Sequence, residues 1–423
     1  MKTLAIAGTF DTKGAEFLYV QQCAERLGAR TLLIDTGVFA DTGTPSPAAS
    51  SPVPERTGSP TPDISNRDVA AAAGHDIDLI AAAHDRAAAT AALSEGMAKL
   101  LPRLYAQGRL DGVLSLGGSG GTAIATAGMR ELPLGVPKFM VSTMAAGDVA
   151  RYVGTSDIVM MPSIVDVAGL NKISRTIYRN AVAAVVGMLN ADGTAEDHEQ
   201  DRPLVAATMF GVTTPCVMAA KERLEEAGYE VLVFHATGTG GRTMESLIDS
   251  GAFAGVLDLT TTEWCDEVVG GILAAGPDRC TAAGRAGTPQ VVSVGALDMV
   301  NYGPPDSVPT KFRERNLYRH NPSVTLMRTT PEELREIGTR IAANLNKGGG
   351  KTIVLLPLQG VSALDAEGEA FWDQQADAAL FTTLRQQLDP TRIEVRELDL
   401  HINNENFARI AADTLIRLMR AAD

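Results

Sequence analysis

Short apolar runs, each followed by a polar exit rich in glycine, threonine and aspartate, recur along this chain. Apolar positions at helical spacing fill most of the intervals between them. The runs at 3–7, 29–34, 111–116, 137–141 and 157–162 read as strands of a parallel sheet, since a strand covered on both faces need not alternate. Helices are expected over about 15–27, with Gly28 closing the first as a C′ residue, over 85–107, from 123 onward, and up to about 189. A short alanine-rich helix opens at Asn66. Strand and helix alternating in this way predict a doubly wound sheet, whose ligands gather at the carboxyl ends of the strands.

Two stretches break the rhythm. Residues 40–63 are mostly Pro, Ser, Thr, Gly and Ala, with little to bury, and are expected to form a flexible surface loop. The polar, acidic stretch at 190–203 reads as a linker, which sets domains at 1–197 and 203–423. From Pro203 the first half is echoed. A strand at 204–208 exits through Phe210-Gly211-Val212-Thr213-Thr214, and a helix at 216–227 ends at Gly228 as the first ended at Gly28. Further strands are expected at 231–234, 254–258, 290–294, 353–357 and 393–398. Thr330-Pro331-Glu332-Glu333 is a capping box that starts a helix running to about 346. Two similar α/β halves and an internal duplication follow from the pattern.

Composition narrows the partners. At 423 residues the chain is long for one core. A formal net charge of −14 argues against a nucleic-acid surface or an anionic membrane, since both call for a basic face. Cys23, Cys216, Cys265 and Cys280 form no Cys-x-x-Cys pair, so neither a disulfide framework nor a zinc knuckle is indicated, and reducing cytoplasm is the expected compartment. The strand-like opening is expected to carry no export signal, and no apolar run is long enough to span a membrane.

The chemistry centres on Gly117-Gly118-Ser119-Gly120-Gly121-Thr122, between a strand and a helix start. Without Cβ atoms the backbone N–H groups can approach an anion closely, and the positive end of the helix favours it. Thr122 would offer a hydroxyl to a phosphate or to Mg2+; a tight turn with no ligand is the alternative. Exits at 8–13 and 35–37 would meet the glycine stretch on one sheet edge. There Lys13 would neutralise phosphate charge, and Asp11 would hold Mg2+ or serve as a turn residue. Asp35 occupies the place of a ribose-binding carboxylate, which argues for NAD as a rival ligand. In the second half His235, Asp258, Glu263 and His320 are the candidate catalytic groups, with Asp298, Asn301, Asn321 and His401 as possible neighbours; structural histidines are the alternative. There is neither a Gly-x-Ser-x-Gly elbow nor a His-Glu-x-x-His pair, so serine hydrolase and zinc protease chemistry lack support.

With Gly-Thr-Phe-Asp-Thr-Lys-Gly at 8–14, Leu-Gly-Gly-Ser-Gly-Gly-Thr at 116–122 and Phe-His-Ala-Thr-Gly-Thr-Gly-Gly at 234–241, the sequence resembles the Tm-1-like ATP-binding family. The resemblance covers essentially the whole chain. It implies two Rossmann-like domains, ATP with Mg2+ in the first, and a homodimer. It also implies nucleotide contacts from Thr9, Phe10, Asp11, Thr12 and Thr36, phosphates on Gly118, Ser119, Gly120 and Gly121, and a contribution from Arg67. The expected function is ATP-Mg2+ binding and action on a small polar metabolite between the domains, as phosphoryl or adenylyl transfer if the protein is an enzyme. The alternatives are an NAD(P)-dependent oxidoreductase that uses Asp35 and a non-catalytic, nucleotide-regulated interaction protein.

Overall fold

The computed structural model describes residues 1–38, 59–191 and 202–421. The chain divides into two compact units, Met1–His198 and Glu199–Asp423.

The first unit runs β1 (Thr3–Gly8), α1 (Phe10–Arg26), β2 (Arg30–Asp35), α2 (Asn66–Ala72), α3 (Ile77–Ala82), α4 (Arg86–Ala106), β3 (Gly112–Gly117), α5 (Ser119–Arg130), β4 (Lys138–Ser142), α6 (Ala150–Val153), β5 (Val159–Pro162) and α7 (Lys172–Asn190). Its five strands are all parallel, in the order β2-β1-β3-β4-β5. Successive residues of β1 point to opposite faces and enter different cores. Leu4 and Ile6 pack with Phe17, Val20, Tyr178 and Val182 of α1 and α7. Ala5 and Ala7 pack with Leu93 and Met97 of α4 and Ile124 and Met129 of α5. With both faces covered, β1 is buried at every position, which is why it reads as one apolar run.

Two helices start earlier than their sequences suggest. The first begins at Phe10 rather than near 15, with a break at Lys13, where φ is −132° and ψ 27°. The second begins at Ser119 rather than 123, so the glycines form its first turn. The flexible loop expected at 40–63 lies outside the described residues as far as 58. From Ser59 the chain is held: Ile64 bridges to Ile34, and the Asp63 N–H donates to the Leu33 carbonyl at 2.9 Å. Most of the expected linker, 192–201, also lies outside them.

The second unit runs β6 (Leu204–Met209), α8 (Thr214–Glu226), β7 (Glu230–His235), α9 (Thr239–Asp249), β8 (Gly255–Thr260), α10 (Glu263–Val269), α11 (Ala282–Ala286) and β9 (Gln290–Gly295). It continues through β10 (Met299–Tyr302), β11 (Leu317–Asn321), β12 (Val324–Arg328), α12 (Pro331–Lys347), β13 (Thr352–Pro357), α13 (Gln374–Gln387), β14 (Ile393–Leu398) and α14 (Glu405–Arg420). Its main sheet is parallel, in the order β7-β6-β8-β9-β13-β14. Its first five positions repeat the winding of the first unit, so both halves are Rossmann-like α/β units. The pattern reading did not foresee the antiparallel sheet β10-β12-β11. Its strands have four or five residues, too short for alternation to stand out. Among the described residues, no helix is long and apolar enough to cross a membrane.

Candidate functional site

In the order β2-β1-β3 the chain leaves β1 into α1 on one face of the sheet and leaves β3 into α5 on the other. The crevice outside β1 and β3 is therefore the switch point of the fold, where ligands of open α/β sheets bind. Gly118 is the N-cap of α5; no side chain caps the helix, and its first turn has no acidic residue. A Cβ on Gly117 would stand 3.1 Å from the Gly121 Cα, a tight approach that the turn could admit only by a small shift. Gly118 and Gly120 face space instead: a Cβ on either would meet only the Thr143 hydroxyl at 3.8 Å or the Thr90 hydroxyl at 3.7 Å. Thr122 is fully buried; its hydroxyl donates to the Gly118 carbonyl at 2.7 Å and is 2.6 Å from the Ser142 hydroxyl. It shapes the turn from within, in place of the expected phosphate contact.

Asp35 ties the neighbouring exits together. One of its carboxylate oxygens accepts from the Phe10 N–H at 3.1 Å and from the Gly37 N–H at 2.9 Å. Burial pushes its pKa above the usual carboxylate range, and nearby Asp11 adds to the rise. The Asp11 side chain packs on Gly37, where a Cβ would lie 2.5 Å from its carboxyl carbon. Thr36 is buried, and its N–H donates to the Gly8 carbonyl at 2.8 Å. The Thr12 hydroxyl donates to that of Thr9 at 3.1 Å. Lys13 is committed elsewhere, its ammonium 2.6 Å from the Val167 carbonyl. The exposed Arg67 pairs with Asp78 at 2.8 Å. The structure thus brings Phe10, Asp11 and Asp35 to one place and directs Lys13 and Arg67 at other groups. Thr90 and Thr143 are the additions. Thr143 stood in a polar exit already visible in the sequence, whereas nothing local marked Thr90 on α4.

The second unit also starts a helix on a glycine turn, but after β7, the counterpart of β2. The Glu263 carboxylate sits on the N-terminal turn of α9, accepting from the N–H groups of Gly238 at 2.7 Å and Gly241 at 3.1 Å. Its other oxygen accepts from Arg279 at 2.7 Å. Arg279 also holds Asp258 at 2.5 and 2.7 Å and Glu245 at 3.1 Å. Burial opposes the charge on Arg279, but Asp258 and Glu263 hold it protonated. Asp258 and Glu263 are therefore together, as expected, but 1% and 0% exposed and spent on an internal guanidinium. His235 is exposed and lies against Phe210, ring centroids 5.4 Å apart. His320 is exposed on β11. The His401 ring is held on both sides, Nε2 lying 2.9 Å from the Ser362 carbonyl and Nδ1 accepting from the Asn403 N–H at 3.0 Å. Asp298 is buried and accepts from the Ser362 hydroxyl at 2.8 Å, while burial and neighbouring Asp365 push its pKa up. Asn321 accepts from the Ser323 N–H at 2.8 Å within the β11–β12 turn.

Comparison with known proteins gives this architecture a family. Residues 2–194 match the N-terminal domain, and residues 202–419 the C-terminal domain, of the uncharacterised protein family UPF0261. A UPF0261 protein of Clostridium tetani is 48% identical over 418 residues, covering 99% of each chain. The ToMV resistance protein Tm-1(GCR237) of Solanum lycopersicum is 44% identical over 337 residues, which is 79% of this chain and 45% of that protein. Among solved structures, UDP-N-acetylglucosamine 2-epimerase from Rickettsia bellii aligns over 100% of this chain and 96% of its own. Its identity is 10% and its TM-score 0.24, too low to carry an argument. On both domain matches and on whole-length relatives, the chain belongs to the UPF0261 family.

Proposed function

We propose that the first unit binds ATP with Mg2+ at the crevice outside β1 and β3, its phosphates lying over the glycine turn from Gly118 to Gly121. The observation that carries this reading is the contrast between two glycine turns at helix starts, one after β3 and one after β7. In the second unit the N–H groups of the turn hold the Glu263 carboxylate, so this geometry accepts anionic oxygen. In the first unit no side chain caps the turn, and Gly118 and Gly120 face space. The nicotinamide dinucleotide alternative is less well supported, because it asks Asp35 for a ribose hydroxyl and one Asp35 oxygen already serves two backbone N–H groups.

The donor set suits Mg2+. Asp11 and Asp35 are hard-oxygen ligands near enough for Asp11 to raise the pKa of Asp35, and Mg2+ is commonly held by one or two carboxylates together with phosphate. When bound, the ion would neutralise phosphate charge. The chain's part is then to orient the nucleotide for phosphoryl or adenylyl transfer to a small polar metabolite. Four free, buried thiols and the family resemblance support a cytoplasmic homodimer.

The test is a thermal-shift comparison of ATP-Mg2+, ADP-Mg2+, NAD+ and NADP+ on the natural protein and on Gly120→Asp, which puts a negative charge on the glycine turn. A ligand of the native state at about 100 times its dissociation constant adds roughly 2.7 kcal/mol. The expected result is stabilisation by ATP-Mg2+ that disappears in the folded variant. Stabilisation by NAD+ or NADP+ alone would overturn the proposal.

A further inference from the structure

A cavity of about 800 Å3 opens on the far side of the glycine turn, between α4, α5 and α6. Ser119 and Gly120 form part of its wall, so it shares the first turn of α5 with the proposed phosphate position. Three arginines from three helices line it: Arg86 at the start of α4, Arg130 at the end of α5 and Arg151 on α6. No acidic residue stands among its described lining residues, in a chain with a net charge of −14. Three like charges around one cavity repel each other, and the arrangement gains most when an anion enters.

Two of these guanidinium groups are held in place. Arg130 donates to the Tyr152 carbonyl at 2.7 Å, and Arg151 donates to the Tyr152 hydroxyl at 2.9 Å with its guanidinium carbon 4.7 Å from the ring centroid. Each guanidinium keeps further N–H donors, because one contact uses only part of its fork of five. Among the described residues, the Arg86 guanidinium makes no ion pair or hydrogen bond. The turn at Ser119 and Gly120 adds backbone donors between the arginines, while the Thr90 hydroxyl donates to the Arg86 carbonyl at 2.8 Å. The remaining wall includes small alanine faces and offers nothing to select a large apolar group.

We propose that this cavity is an anion-binding subsite for a small metabolite bearing a phosphate or two or more carboxylates, bound beside the nucleotide's terminal phosphate. Anion binding by the arginines stands on the cavity alone, and its role as the co-substrate seat rests on the ATP reading. The shared turn explains why one helix can serve both ligands: the proposed phosphate position lies on the turn from Gly118 to Gly121, and Ser119 and Gly120 of that turn also border the arginine cavity.

The experiment is calorimetric titration of the full-length protein, in ADP-Mg2+ and in its absence, with succinate, glycerol 3-phosphate and, as neutral control, glycerol. It is repeated on Arg86→Gln/Arg151→Gln, which alters exposed side chains only. The expected result is binding of at least one anion but not glycerol, weakened about 10-fold or more in the double variant and by added salt, with ADP-Mg2+ affinity kept within about twofold. Whether succinate or glycerol 3-phosphate binds decides between a carboxylate and a phosphate ligand. Failure of both anions to bind the natural protein would overturn the proposal. So would loss of ADP-Mg2+ binding in the double variant, which would assign the arginines to the nucleotide. Arginine-dependent anion binding by a protein that takes no adenine nucleotide would uphold the subsite and remove the ATP reading.

Discussion

Asp266 is a carboxylate buried on α10 that meets backbone and amide donors instead of a cation. It accepts from the Asn301 side chain at 2.9 Å, the Asn301 N–H at 3.2 Å and the Leu273 N–H at 3.1 Å. Burial outweighs these bonds and pushes its pKa up to about 6. A carboxyl whose folded pKa lies above its unfolded one keeps its proton in the native state over a range where the unfolded chain has lost it. Its contribution to stability is therefore full at low pH and is lost as pH rises from about 4 to about 6, an effect of roughly 3 kcal/mol. Asp266→Asn should remove that part of the slope, which urea unfolding of both proteins at pH 4.5 and 7 would measure; an unchanged difference between the two pH values would contradict it. The same group shows where reading the sequence ran short. Asn301 looked like a site residue because it follows a strand, but its side chain is used to hold Asp266, and no spacing in the sequence announces a partner 35 positions away.

At the scale of the element, α5 and α9 are the same device in two conditions. The Glu263 carboxylate satisfies the first turn of α9 and one face of Arg279, so removing it leaves a buried guanidinium short of a partner. Glu263→Ala should lose about 3–5 kcal/mol, and acetate should restore part of that loss by entering the vacated space. Thermal unfolding with sodium acetate against sodium chloride measures this, and an equal response to both salts would count against it. Helix starts were the least legible element boundaries. Glycine is a poor helix former, so the run at 117–121 reads as an irregular loop, yet the close approach of Gly117 to Gly121 makes it the first turn of a helix. Likewise Gly14 suggested that α1 starts later than it does, and the break at Lys13 is the trace of that conflict. Periodicity located the parallel strands well, because burial on both faces writes itself as uninterrupted apolar residues.

Over the whole molecule, the repeated strand order was readable from the echo of exits and helix ends at Gly28 and Gly228, both with positive φ. What the echo hid is that the second unit's glycine turn follows β7, the counterpart of β2, and is filled by Glu263, itself held by Arg279. Hydrogen exchange should therefore respond unequally. ATP-Mg2+ is expected to slow exchange at 9–13, 35–37 and 117–122 and to leave the Gly238–Gly241 turn unchanged; equal protection of both turns would contradict the division of roles. The anchoring of Ser59 to Ile64 has a practical consequence for protein engineering. Ile64 lies beside Ile34, and the Ser59 hydroxyl reaches the Phe10 carbonyl at 3.0 Å, so the chain returns to the strand it has just left. Doubling the length of a flexible segment closed between two such fixed ends costs about 0.6 kcal/mol in closure entropy. The interval between Val38 and Ser59 is thus the place to splice in a peptide tag or fluorescent reporter, with β2 and the anchor at Ser59–Ile64 left intact on either side.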